Sequence, residues 1–393
     1  MPTKPTATPR ASRSRTPRAD APAGLASAQA QEIGARLEPW FLAHHRDLSW
    51  RRTRDPYAIW VSEIMLQQTR VETVERHWAG FLARFPDVAT LAAADGDEVL
   101  SAWSGLGYYR RARLLHAGAK VVAAELGARL PEDAAGLRRI PGIGPYTAGA
   151  IASIAYDRPE PLVDGNVARV LSRVEAVSDP KQQDATAKWL WSACEQILRS
   201  GTPRVLGQAL MELGATVCTP RAPRCEACPL AASCRARQRG LTDIIPAVRE
   251  RAASKLERWW AVALLRDDAI LLERRPDEGL LARMWCLPLL PRDDGDTAPT
   301  ASALRPIVRG RVGGLRTVGE PVVHIFTHRR WELQVVVAAA GATVLPRGDD
   351  AATVWLAPSQ RPTGGVPTLT RKLLARVGGE GGDARPRRGQ VKV

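Results

Sequence analysis

The chain has 393 residues, 45% of them hydrophobic, and a formal net charge of +15. That length suits two cored domains rather than one oversized one, and the charge points to a polyanionic partner. Residues 1–20 and 380–393 carry +4 and +2 of it, so +9 stays on the body; no apolar run approaches the ~20 residues that a membrane-spanning helix needs.

Residues 1–27 read as a disordered basic arm, because TPRASRSRTPR is rich in Ser and Arg but lacks the apolar face of a transit peptide. From Ala28 the pattern turns helical, with Ile33, Leu37, Phe41 and Leu42 on one spacing. Helical periodicity persists to about 217, so residues 28–217 form an all-α domain by this reading. The segment after Pro56, YAIWVSEIMLQQTRVETV, reads as one helix. Around Glu63 the positions three and four residues away are Ile59, Trp60, Leu66 and Gln67, so this carboxyl projects from a largely apolar face. Burial disfavours the charged form of a carboxyl, and one kept protonated near neutral pH can act as a general acid. The plain alternative is a structural Glu paired with an arginine. Further on, Trp103-Ser104-Gly105-Leu106-Gly107-Tyr108-Tyr109 is a Gly-rich turn ending in two aromatics, followed by Arg110, Arg111 and Arg113. Aromatics beside basic residues suit stacking on bases with phosphate contacts nearby, and they suit a core equally.

The stretch from Ile140 to Arg169, IPGIGPYTAGAIASIAYDRPEPLVDGNVAR, organises the domain. Pro141-Gly142-Ile143-Gly144 is a turn whose glycines permit positive φ and close backbone approach. Pro145 then opens a helix and leaves free N–H groups at its start as an anion site that fits a DNA phosphate. This helix ends near Asp157-Arg158-Pro159, and Asp164-Gly165-Asn166 opens the next. Asp164 is an N-cap by position. A cap also aims backbone dipoles at the carboxylate, which suits a group that stabilises a cation.

Cys218, Cys225, Cys228 and Cys234 follow at C-x6-C-x2-C-x5-C spacing. Close-set thiols in a basic chain argue for metal over disulfides, and spacing alone leaves zinc and an iron–sulfur cluster open. The loop over residues 218–234 also carries Arg221 and Arg224, placed for phosphate. Cys194 and Cys286 read as ordinary buried thiols. Residues 235–256 look like a linker. Beyond it the period changes to two: Trp260 to Leu265, a turn at Asp267-Asp268 and Ile270 to Leu272 form a hairpin. Further strands are expected at Val322 to Phe326 and Trp331 to Val337, and a closing helix at Leu369 to Val377. Residues 257–377 are thus a smaller α+β domain, with 378–393 a disordered tail.

Several motifs together, WVSEIMLQQTRVETV, GLGYYRRAR, IPGIGPYTAGAI, VDGNVARVL, QALMELGATVC, the four cysteines and HIFTH, resemble the adenine DNA glycosylases of the MutY type, in the helix-hairpin-helix, endonuclease III superfamily. The resemblance covers about residues 28–377. It implies that Glu63 protonates N7 of a flipped adenine, that Asp164 stabilises the oxocarbenium ion left on the sugar, and that Tyr146 supports both. It implies an adenine pocket of Arg46, Trp50, Leu66 and Gln208, and wedges at Gln68 and Tyr108 that enter the duplex. Gly142, Gly144, Asn166, Arg169, Arg221 and Arg224 would contact DNA. The cysteines match a [4Fe-4S] ligand set, and Phe326, Thr327 and His328 match a loop that reads 8-oxoguanine. RRPDEGLLARMWCLP resembles a Nudix-like domain without its catalytic helix, which implies recognition rather than pyrophosphate hydrolysis.

The expected partner is double-stranded DNA with adenine opposite 8-oxoguanine or guanine, bound by a monomer without a membrane, in a bacterial cytoplasm. Three positions depart from the family pattern: Ser49 in LSWR, Gly207 in LGQA, and Thr327 where Ser is usual. An endonuclease III-like lyase acting on oxidised pyrimidines is the nearer alternative, disfavoured by FTH in the second domain. A non-catalytic DNA-binding scaffold is the other, disfavoured by the pairing of Glu63 with Asp164.

Overall fold

The structure is a computed structural model in which residues 25–177, 184–247, 254–293, 295, 298–346, 352–357, 360 and 362–378 are described. Residues 1–24 of the expected arm, 248–253 of the expected linker and 379–393 of the expected tail lie outside them. The first helices are α1 (Ser27–His44), α2 (Pro56–Leu66), α3 (Val71–Arg84), α4 (Val88–Ala93), α5 (Gly96–Ala102), α6 (Arg110–Glu125) and α7 (Ala134–Leu137). They are followed by α8 (Pro145–Tyr156), α9 (Gly165–Val174), α10 (Asp184–Leu198), α11 (Pro203–Thr216) and α12 (Arg235–Gln238). The main strands are β1 (Lys255–Arg266), β2 (Ala269–Arg274), β3 (Trp285–Cys286), β4 (Leu289–Pro291), β5 (Val308–Arg309), β6 (Val312–Ile325), β7 (Arg329–Ala340), β8 (Leu345–Pro346) and β9 (Thr353–Leu356), before α13 (Thr368–Gly378). The architecture is a helical domain followed by a Nudix-like domain with strands.

Two compact units result, neither continuous in sequence: one from residues within 1–46 and 152–249, the other from residues within 47–151 and 250–393. In the first, α1 packs on α10 and α11, and α9 on α10, α11 and α12. Gly214 lets α9 come close, since a Cβ there would lie 2.5 Å from that of Asn166. In the second, α2 packs on α3 and α6, while α4 and α5 also pack on α6. Both flanks of α2 are covered, which is why every residue from Tyr57 to Met65 is buried.

The sheet runs β3-β2-β1-β7-β6, with β4 also on β1 and β9 also on β2. β1 and β7 pair in parallel, and both have two covered faces. Ala261 and Ala263 join Leu333, Val335 and α13 on one side, while Val262 and Leu264 join Ala338 and Leu304 on the other. Burial on both faces explains a continuous apolar run where a one-sided strand would alternate.

Three expectations are corrected. The helix after Pro56 does not continue through Gln67–Arg70: α2 stops at Leu66, Gln68 takes φ 58°, and α3 starts at Val71. The strand expected at Val322 begins at Val312 and passes a register shift between Val318 and Val322. The segment read as a linker from 235 opens with α12, whose Ala236 is buried against Ala176 and Ile245.

Candidate active site

In the unit holding α2, Asp55 caps that helix by accepting from the backbone N–H groups of Tyr57 and Ala58, and Pro56 occupies the first turn. This fixes Glu63 in the middle of a buried helix, only 4% exposed. Its Oε2 accepts a hydrogen bond of 2.8 Å from the Tyr146 hydroxyl, and Tyr146 lies in the first turn of α8, directly after the Gly142–Gly144 turn. Gly142 has φ +84°, and a Cβ there would meet Leu114 Cβ at 2.8 Å, so the turn requires glycine. Gly144 does not take positive φ, contrary to the sequence reading; a Cβ there would meet open space, and both glycines are exposed. Leu66 is half-buried at the end of α2, and Trp50 is buried, edge-on to Trp78 at 6.3 Å. Ser49 donates from its backbone N–H and hydroxyl to the Glu75 carboxylate, two bonds that proline at this position could not make.

Gln68 and Tyr108 are both exposed and both left-handed, at φ 58° and 48°. One side chain holds the two turns. Arg111, expected near phosphate, is buried: it donates to the carbonyls of Ile64 and Met65 at the end of α2, to the Thr69 hydroxyl, and to the carbonyls of Leu106 and Gly107. It also lies over the rings of Trp103 and Tyr108. Burial lowers its pKa to about 10, which still leaves it charged at neutral pH. Tyr109 and Trp103 are core, so of the two adjacent tyrosines only Tyr108 faces solvent. Arg111→Met should take a donor from five acceptors, of which only the Gly107 and Leu106 carbonyls keep another, from Trp103 Nε1 and Thr69 Oγ1, and cost of the order of 3 kcal/mol. Urea unfolding against the exposed control Arg110→Ala tests this; equal midpoints would reject the bracing role.

The other unit holds Asp164. As N-cap of α9 its Oδ1 accepts from the N–H groups of Asn166 (2.8 Å) and Val167 (2.7 Å), and Oδ2 accepts from Asn166 Nδ2 (2.8 Å). Asn166 is thereby committed to the cap. Arg169, expected on DNA, is instead buried and bonded to the carbonyls of Gly165, Gly214 and Cys218 and to Asn166 Oδ1. One turn on, Arg173 is 2% exposed and donates to the carbonyls of Thr219, Pro220 and Ile245. Its Nη1 lies 3.3 Å from Cys218 Sγ. Two arginines of one helix thus fasten the cysteine loop; their spacing of four was visible in the sequence, but the carbonyls they serve were not. Arg46 makes a two-pronged pair with Glu212, both contacts 2.8 Å, on a carboxylate that is fully buried. Gln208 is buried, with Nε2 on the Arg204 carbonyl.

Cys218, Cys225, Cys228 and Cys234 are all free thiols at half-buried positions. Burial raises the pKa of Cys225, Cys228 and Cys234, that of Cys228 to about 11, and the other cysteines of the set raise them further. A bound cationic centre would reverse these shifts. Among the described residues no three His, Cys, Asp or Glu side chains are gathered closely enough to hold a single ion. Arg221 and Arg224 are exposed, although Arg224 also donates to the Thr216 carbonyl and so braces its own loop.

In the sheet domain Thr327 and His328 form the exposed tip between β6 and β7. Phe326 is half-buried, set edge-on to His324 at 4.6 Å and Trp331 at 4.9 Å, and its backbone N–H is bonded to the Arg329 carbonyl. The aromatic anchors the tip that the two polar residues present.

One unit thus holds a buried carboxyl hydrogen-bonded by a tyrosine just after a Gly-rich turn, and the other an aspartate that caps α9. Residues 61–196 match the model of the HhH-GPD superfamily base excision DNA repair protein, and residues 260–376 match that of the NUDIX domain. The chain is 36% identical to human adenine DNA glycosylase, over 86% of this chain and 72% of that one. It is 45% identical to the adenine DNA glycosylase of Mycolicibacterium smegmatis, over 52% and 69%. A solved thermostable thymine-DNA glycosylase aligns with a TM-score of 0.50 at 26% identity, over 54% of this chain and 99% of that one. The chain belongs to the adenine DNA glycosylase family.

Proposed function

We propose that the chain hydrolyses the N-glycosidic bond of adenine opposite 8-oxoguanine or guanine and leaves the strand intact. The hydrogen bond from Tyr146 to the buried Glu63 carries this reading: a carboxyl poised to give a proton, with tyrosine where a lyase of this superfamily would place its lysine. Glu63 protonates adenine N7, the C–N electron pair leaves with the base, and Asp164 offsets positive charge on the sugar. Water then adds at C1′, losing a proton and leaving an abasic hydroxyl. Arg46, Trp50, Leu66 and Gln208 line the adenine pocket in this reading. Gln68 and Tyr108 fill the space of the extruded nucleotides, with Gly142, Gly144, Arg221 and Arg224 on phosphates. Asn166 and Arg169 act through the Asp164 cap rather than on DNA. Thr327 and His328 contact 8-oxoguanine, with Phe326 behind them.

Cys218, Cys225, Cys228 and Cys234 would hold a [4Fe-4S] cluster, whose contribution is to tie the 218–234 loop rather than to take part in bond cleavage. Four free, half-buried thiols on one short loop support it. The active form is taken as a monomer on double-stranded DNA; no helix of the described residues is long and apolar enough to cross a membrane.

A lyase needs an unprotonated amine to attack the sugar, and no lysine lies between Lys120 and Lys181. Turnover on duplexes carrying A opposite 8-oxoguanine, A opposite G, thymine glycol, or T opposite G tests both points. Adenine should be released from the first two alone, with breaks only after hot alkali and almost no borohydride-trapped adduct. Release from thymine glycol, or efficient trapping, would move the chain to the lyase branch.

A further inference from the structure

Apart from the residues assigned above, α5, α6 and the turn before β3 line a solvent-open cleft of about 190 Å³. Val99 and Leu100 form its apolar wall, and its polar lining is Arg113, His116, Lys120 and Arg283, with no acidic side chain. His116 is only 8% exposed; the backbones of Ala94 and Ala92 act on its ring, while its Nε2 has no hydrogen-bond partner among the described residues. An unsatisfied buried nitrogen costs free energy that a ligand can return. Arg283 Nε already pairs with Asp277 at 3.7 Å, but from an 87% exposed side chain that is not part of the lining, and Asp95 raises the pKa of His116 only as the last of its causes. Arg113 donates to the Ala282 carbonyl and so ties this turn to α6. Arg283 sits at φ 61°, and Leu281 in the same turn at φ 57°, a backbone that residues with a Cβ adopt uncommonly.

We propose that this cleft is a phosphate-binding site, with Arg113, Lys120 and Arg283 supplying charge and His116 Nε2 completing the hydrogen bonding. The like charges already disturb one another, consistent with an anion as the missing partner: burial first, then Arg283 and Arg110, lower the pKa of Arg113, and burial, then Lys120, lower that of His116. The same chemistry is offered by a phosphate of the DNA backbone and by free phosphate or a phosphomonoester.

Thermal unfolding of the full chain at constant ionic strength, with inorganic phosphate exchanged for chloride, tests the site. The melting temperature should rise and saturate, and Lys120→Ala and Arg283→Gly should each raise the half-saturating concentration about tenfold, the worth of one charge-assisted contact. Arg283→Gly relieves the left-handed backbone while removing the cation, so lost binding cannot be ascribed to misfolding. No saturating rise, or unchanged half-saturation in both variants, overturns the proposal. The salt dependence of duplex binding separates the sources: a slope reduced by about 0.9 in Lys120→Ala assigns a DNA phosphate, and an unchanged slope assigns free phosphate or a phosphomonoester.

Discussion

An Asp164→Asn chain is expected to bind a duplex with adenine opposite 8-oxoguanine as the parent does, and to release adenine at least about a thousandfold more slowly, near 4 kcal/mol in the barrier. The amide keeps an oxygen for the N–H groups of Asn166 and Val167, which now bond Asp164 Oδ1. What it loses is the negative charge. Its nitrogen would face Asn166 Nδ2, a donor that now bonds Oδ2, so that contact is given up unless the Asn166 amide turns. Stability should therefore fall by no more than about 1 kcal/mol, the usual worth of a cap. Single-turnover excision, duplex binding and thermal unfolding on one preparation separate the two roles. Activity within about tenfold of the parent, a change of only ~1.4 kcal/mol, would reduce Asp164 to a cap.

Glu63→Gln should slow adenine release by about a hundredfold to ten-thousandfold, the range of a lost general acid. The fold should tolerate it: the Tyr146 hydroxyl can donate to the amide oxygen as it does to Oε2, and a neutral amide costs about as much to bury at 4% exposure as the protonated carboxyl it replaces. The melting temperature should hold while the rate falls. The parent's rate should also decline as pH rises through the titration of its acid, and the variant's profile should lose that limb. A variant that keeps the limb would assign the proton to another group.

The chemistry-bearing residues were legible because their signals are local. A cap is announced by Asp before Gly-Asn, a turn by Pro-Gly-Ile-Gly, and a buried carboxyl by apolar neighbours one turn away. Arg111, Arg169 and Arg173 were not legible, because arginine on the page is a charge. Whether it meets phosphate or carbonyl depends on backbone brought in from elsewhere, such as the buried carbonyls at the end of α2 that Arg111 serves. The break after Leu66 was missed for a related reason: Gln67 and Gln68 carry no breaker signal, and the left-handed turn is held by a guanidinium more than forty positions away in sequence. In the sheet the hairpin at Asp267-Asp268 was readable, while the parallel pairing of β1 with β7 leaves no local trace.

That parallel pairing also bears on how the chain is made. Lys255 finds its partner only at Arg329, and the sheet it starts shares a compact unit with residues 47–151. Contacts so distant along the chain close slowly, since loop entropy is lost before the contacts compensate it. On the ribosome, neither unit can mature in order of synthesis: α1 waits for α10 and α11, and although β2 and β4 soon pair with one side of β1, its other, strongly apolar edge stays open until β7 has emerged. Nascent chains of this protein are therefore most exposed to aggregation in the interval between the synthesis of β1 and β7, and that is where a chaperone would have most to protect.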